Sequence, residues 1–136
     1  MIHLETSISQ ADDHDNFVYD VEGQLARVGQ SFYLRYQEDD PNTGKKVPVT
    51  FKMDDSGEVR LTRAADNRLQ VRFAQGKKHV ARYSTPYGLM NMDAETVQLS
   101  YQYQDNPARG NLSVDYRLFS GVNLLGDYKI RLQFSV

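Results

Sequence analysis

Apolar and polar residues alternate along almost the whole of this chain, in runs closed by turn-forming residues. Ile2, Leu4, Thr6 and Ile8 alternate with His3, Glu5, Ser7 and Ser9. A period of two sends the two sets to opposite faces of a strand. The pattern returns in Phe32-Leu34-Tyr36, Val47-Val49-Phe51-Met53, Leu69-Val71-Phe73, Val97-Leu99-Tyr101-Tyr103, Leu112-Val114-Tyr116-Leu118 and Tyr128-Ile130-Leu132-Phe134-Val136. Between the runs stand Asp39-Asp40-Pro41-Asn42-Thr43-Gly44, Asp54-Asp55-Ser56-Gly57, Ala65-Asp66-Asn67, Gln75-Gly76-Lys77, Asn106-Pro107-Ala108-Arg109-Gly110 and Ser120-Gly121-Val122-Asn123. Proline fixes φ and glycine supplies positive φ, so these are turns by chemistry. Strand runs at even spacing with no crossover helix imply an all-β antiparallel meander.

Strongly twisted strands in this number seldom stay open and flat, and closure removes exposed edges. Both terminal runs are good strands, so Ile2–Ser9 is expected beside Tyr128–Val136. The expected fold is a single antiparallel up-and-down β-barrel of about 8–10 strands, with a two-sheet β-sandwich as the alternative. Phe17, Tyr19, Val21 and Leu25 read as one strand with Gly23 a bulge, after a polar turn at Asp12–Asn16. In Arg82-Tyr83-Ser84-Thr85-Pro86-Tyr87-Gly88, Pro86 lacks the N–H a ladder needs and Gly88 permits a bend. This segment is expected to be the corner where one half of the sheet turns into the other. A short helix is conceivable only at Leu89–Met92. Phe17, Phe32, Phe51, Phe73, Tyr101, Tyr116 and Phe134 are expected to point inward.

A length of 136 residues sets one domain, 1–136. With no cysteine, disulfides and thiolate chemistry are excluded. A net charge of −2 predicts no global attraction to nucleic acid or membrane. The start, Met1-Ile2-His3-Leu4-Glu5, has no basic flank and no apolar run, so a cytoplasmic setting is expected. No stretch approaches the roughly 18 apolar residues of a membrane helix.

In strand order, length and the motif Tyr83-Ser84-Thr85-Pro86-Tyr87-Gly88, the chain resembles the YwiB-like family of small bacterial proteins from the firmicute lineage. The resemblance covers nearly the whole chain. It implies a barrel similar to those of the calycins (lipocalins and fatty-acid-binding proteins) and a cytoplasmic setting. It brings no activity and no catalytic residue. The Gly-x-Trp of lipocalins is absent, since the sequence has no tryptophan.

Motifs for a serine nucleophile, a phosphate-binding loop or a His-Glu-x-x-His zinc site do not occur, so no catalytic residue, metal or cofactor is assigned. Asp12-Asp13-His14-Asp15 offers metal-type ligands, but neighbours in an extended chain point opposite ways and a solvated loop is expected. Asp54, Asp55 and Glu58 lie around a hairpin turn, where carboxylates stay hydrated; His79 reads as a packed or exposed side chain. Asn111-Leu112-Ser113 is a glycosylation sequon, idle without secretion.

Register singles out two groups. If the turns at Asp55–Gly57, Ala65–Asn67 and Gln75–Lys77 have three residues each, Phe51, Leu61, Val71 and Ala81 face one another in an apolar row. Lys52, Arg60 and Arg72 then share a row on the other face, with Arg68, Lys78 and Arg82 nearby. Such a face suits an anionic partner, either nucleic acid or an acidic protein. A two-residue turn at Gln75-Gly76 would instead send Lys78, Val80 and Arg82 inward and call for an anionic ligand inside. The longer turn is preferred because it buries Tyr83 and spares Arg82. It places Arg63, Tyr83 and Tyr87 near one mouth, where a small amphipathic molecule could enter. The ligand set read from the sequence is therefore Arg63, Arg82, Tyr83 and Tyr87. The expected role is non-enzymatic small-molecule binding, with an interaction protein using the basic outer face as the alternative.

Overall fold

The first and last strands meet, as the alternation predicts. Ile2 lies opposite Phe134 and the pairing runs antiparallel to Ser9 opposite Asp127. The computed structural model describes residues 1–10, 12–39, 44–64, 68–85, 88–104 and 108–135. The described residues form eleven strands: β1 (Ile2–Gln10), β2 (Asp13–Val21), β3 (Gly23–Val28), β4 (Ser31–Asp39), β5 (Lys46–Met53), β6 (Val59–Ala64), β7 (Arg68–Phe73), β8 (Lys78–Thr85), β9 (Gly88–Gln104), β10 (Arg109–Ser120) and β11 (Asn123–Ser135). All join one antiparallel sheet in the order β2-β1-β11-β10-β9-β8-β7-β6-β5-β4-β3. This is an up-and-down, barrel-like sheet and not a two-sheet sandwich.

The strand count exceeds the expected range because the run through Phe17 and Leu25 is two strands. β2 pairs with β1 as far as Val21 opposite Ile2, and β3 pairs with β4 from Gly23 opposite Tyr36. Glu22 is the handover residue. β2 and β3 stand at opposite ends of the sheet order, so the main chain itself spans the seam of the cylinder. Gly23 is required by close approach: a Cβ there would fall 2.2 Å from Ile2 Cδ1 and 2.7 Å from the Arg35 carbonyl oxygen. Asp13–Asn16, expected as a turn, belongs to β2. A ladder needs only main-chain groups, and on this edge strand the polar side chains stay hydrated or bond across to β1. Ser7 Oγ donates to Asn16 Oδ1 at 2.6 Å, and Ser9 Oγ lies 2.7 Å from His14 Nδ1. Phe17 fails to reach the core for the same reason, being 42% exposed on a strand with a neighbour on one side only.

Arg82–Gly88 is a hairpin reversal and not a corner between half-sheets. Thr85 and Gly88 are paired, with Gly88 at φ 120, and the sheet continues unbroken from β8 to β9. Pro86 and Tyr87 lie outside the described residues. No helix forms at Leu89–Met92, which is the start of β9. Bending comes instead from two bulges, each an extra residue that kinks a strand and raises its twist. Val97 is extra between Thr96 opposite Tyr116 and Gln98 opposite Asp115; Leu125 is extra between Leu124 opposite Phe119 and Gly126 opposite Leu118. The first bulge flips the phase of β9. Ala94 and Thr96 are buried, then Leu99, Tyr101 and Tyr103 pack on the core, and Val97, expected inside, is exposed. Buried Thr96 fastens the β7–β8 turn: its Oγ1 accepts from Ala74 N–H at 3.3 Å, and its own N–H donates to the Lys77 carbonyl at 2.9 Å.

The interior is lined by the predicted alternation, with Phe51 and Phe73 among its largest fully buried side chains. Burial of such a ring stabilises by about 1.5–3 kcal/mol. Phe73 packs on Tyr116 with ring centres 4.7 Å apart, and Tyr116 stacks on Tyr128 at 5.0 Å. These rings fill part of the cylinder.

Candidate functional site

Strand phase carries two charged residues to the interior. In β4 the inward set Leu34 and Tyr36 continues to Glu38, and in β6 the set Val59 and Leu61 continues to Arg63. Both lie at strand ends by the same mouth. Arg63 Nε donates to Glu38 Oε2 at 3.2 Å, and the Tyr36 hydroxyl donates to Glu38 Oε1 at 3.0 Å. The Arg63 and Glu38 side chains keep 33% and 23% of their exposure, so solvent reaches the pair from one side. Burial first, and then the Glu38 charge, push the Tyr36 phenol well above its ordinary value and keep it a proton donor.

These three groups form a polar cluster in the wall of a chamber of about 270 Å³, whose lining also includes Thr6, Ser7, Tyr128 and Lys129. Leu4, Ile8, Phe51, Leu61, Leu69 and Ile130 supply its apolar walls. Guanidinium carries five N–H donors in a fixed fork, so Arg63 keeps donors beyond the one given to Glu38. Its charge, however, is already balanced by the carboxylate. The chamber therefore suits an apolar body bearing a hydrogen-bond acceptor better than it suits a bare carboxylate, which would have to displace Glu38.

Of the ligand set read from the sequence, Arg63 lies in the chamber wall. Tyr83 has inward phase opposite Leu69 and Met90 and is half-buried beside the chamber without entering its wall. Arg82 is on the outside of the barrel, exposed, opposite Gln70 and Asn91. That excludes the register with Lys78, Val80 and Arg82 inside, and fully buried Ala81 agrees. Tyr87 lies outside the described residues. Sequence reasoning missed Glu38 and Tyr36 as site residues. The available signal was phase, since both continue the inward set begun by Phe32 and Leu34.

The outer basic row has the expected register: Lys52 is opposite Arg60, and Arg60 is opposite Arg72. Like charges facing each other across a sheet cost about 0.2–1 kcal/mol per pair. Several of these cations have local partners. Lys52 Nζ sits 5.6 Å above the Tyr33 ring, and Lys78 Nζ 4.6 Å above Phe119. Arg72 Nε donates to Glu58, and that hydrogen bond holds the Glu58 carboxyl below the usual carboxylate range. Arg68 is exposed at the start of β7, opposite Ala64. Hydrogen bonds from Ser56 hold the Asp54 carboxyl below its usual range, so the Asp54 carboxylate serves the turn. Among the described residues no group of histidine and carboxylate side chains is placed to hold a metal ion.

The architecture has a counterpart among solved structures. The crystal structure of the ywiB protein from Bacillus subtilis matches 99% of this chain and 90% of its own, with a TM-score of 0.79 and 21% sequence identity. At that identity the likeness shows the shared fold. No curated protein matches the sequence. Residues 2–132 match the family described as "Domain of unknown function (DUF1934)", and since this match spans nearly every strand, the chain belongs to the DUF1934 family.

Proposed function

We propose that this protein is a binding module that takes one small amphipathic molecule into the barrel, apolar body inward and hydrogen-bond acceptor toward Arg63. The observation that carries this reading is the mainly apolar chamber of about 270 Å³ with the hydrogen-bonded cluster of Arg63, Glu38 and Tyr36 in its wall. An apolar cavity of about 150 Å³ accommodates one benzene. The chamber thus has the bulk for about two rings, at the small end of ligand sites.

2-Naphthol, a two-ring body with one hydroxyl, is a suitable probe. Binding followed through methyl resonances should move Leu4, Ile8, Leu61, Leu69 and Ile130 together and saturably. Naphthalene should bind more weakly, and Arg63→Met should weaken 2-naphthol roughly tenfold, the worth of one hydrogen bond to a charged group. Shifts scattered over the exterior, or none that saturate, would refute the reading.

A further inference from the structure

The ladder between β7 and β8 is interrupted. Leu69 pairs with Tyr83 and Gln70 with Arg82, and there the pairing of described residues stops, although both strands run on. At the turn beyond, β9 takes over, with Gly76 N–H donating to the Thr96 carbonyl at 3.0 Å. Between these two points the described residues of β7 and β8 lie side by side without paired ladder bonds. Beside this unpaired stretch is a groove of about 310 Å³ lined by Arg60, Gln70, Arg72, His79, Val80 and Arg82.

Three arginines line this groove, and their charges are only partly answered. Arg72 is held by Glu58 through Nε, which leaves its terminal N–H groups. Among the described residues, Arg60 and Arg82 have no ion-pair or hydrogen-bond partner. Guanidinium forks match tetrahedral oxyanions, offering paired donors to adjacent oxygens. The positive field is also short. Following the rows onto β9, Val80 is opposite Asp93 and Lys78 opposite Glu95, and the chain as a whole carries −2. A polynucleotide needs a basic track that follows successive phosphates; here acidic side chains end the track within one strand.

We propose that the groove beside the unpaired stretch of β7 and β8 is a binding site for one phosphate group of a small phosphorylated molecule, gripped by Arg60, Arg72 and Arg82. It is separate from the chamber, on the opposite face of the sheet.

Phenyl phosphate serves as the probe, beside benzyl alcohol as its uncharged control and a single-stranded oligonucleotide of about a dozen residues. Arginine Nε resonances of Arg60 and Arg82 should move with phenyl phosphate and stay still with benzyl alcohol. Arg60→Gln and Arg82→Gln, both at exposed positions, should each weaken binding roughly tenfold, and the double variant should abolish it. Inorganic phosphate should compete. Unmoved arginine resonances, or affinity indifferent to both substitutions, would overturn the site. So would an oligonucleotide that binds far more tightly than phenyl phosphate with a steep salt dependence, since that marks a polyanion surface.

Discussion

Glu38 Oε2 accepts a hydrogen bond from Arg63 Nε at 3.2 Å, joining two strands that do not pair with each other, since β5 stands between β4 and β6. The bond crosses the inner face of the barrel at the mouth of the chamber. It makes the polar cluster a structural tie between β4 and β6.

Arg63→Met should therefore destabilise the protein by about 1–2 kcal/mol in urea denaturation, because a half-buried carboxylate keeps only the Tyr36 hydroxyl. Adding Glu38→Gln should recover part of that loss, with a coupling of about 0.5–2 kcal/mol across the double-mutant cycle. Strict additivity would show that the pair does not tie β4 to β6.

Phe73 and Phe17 occupy equivalent phases in the sequence but not in the molecule. Phe73 is fully buried against Tyr116, so Phe73→Ala should cost about 3–5 kcal/mol. Phe17 lies exposed on the edge strand, and Phe17→Ala should stay within about 1 kcal/mol of the parent. Equal losses in chemical denaturation would contradict the handover at Glu22.

Gly23→Ala should destabilise by about 1–3 kcal/mol or more. The added methyl meets the Arg35 carbonyl oxygen, which belongs to a paired strand and cannot step aside. Thermal unfolding gives the size of the effect. Hydrogen exchange should show faster opening of β2 and β3 than of β9 and β10, and uniform protection would place the strain elsewhere.

His3 sets a pH dependence on the β1–β2 pair. Hydrogen bonds to Asp20 (Nδ1, 2.6 Å) and Glu5 (Nε2, 3.1 Å) raise its pKa above the ordinary 6.5. A raised folded-state value means that the stabilisation is complete below about pH 6.5 and is lost as pH rises through the folded pKa. Glu58 runs the other way: its lowered carboxyl contributes above the unfolded value and ceases to do so as acid protonates it. The stability difference between wild type and His3→Gln should accordingly shrink from pH 6 to pH 9, and a constant difference would remove His3 from the account.

The register of the central strands was legible because only one parity keeps Phe51, Leu61, Val71 and Ala81 on a common apolar side. The meeting of β1 with β11 followed from two equally good terminal strands and the instability of open edges. What stayed hidden is of another kind. A bulge is a single extra residue inside an unbroken alternation, so Val97 looked like one more inward position although Thr96 is the buried one. The handover at Glu22 leaves no compositional trace, since a strand that changes partner keeps its own period. Glu38 was passed over because a charge at the end of an apolar run reads as the start of a turn. Its partner lies 25 residues away and two strands over, a relation that no local pattern encodes.

Glu22 gives the barrel a clasp. Elsewhere around the circumference, widening the cylinder means peeling one strand from its neighbour bond by bond. Between β2 and β3 no ladder joins the described residues, and the margins are held by the main chain at Glu22 and by side chains such as Ile2 packed against Gly23. That arc is closed by packing and not by a ladder, so widening the cylinder there breaks no strand-to-strand hydrogen bond among the described residues.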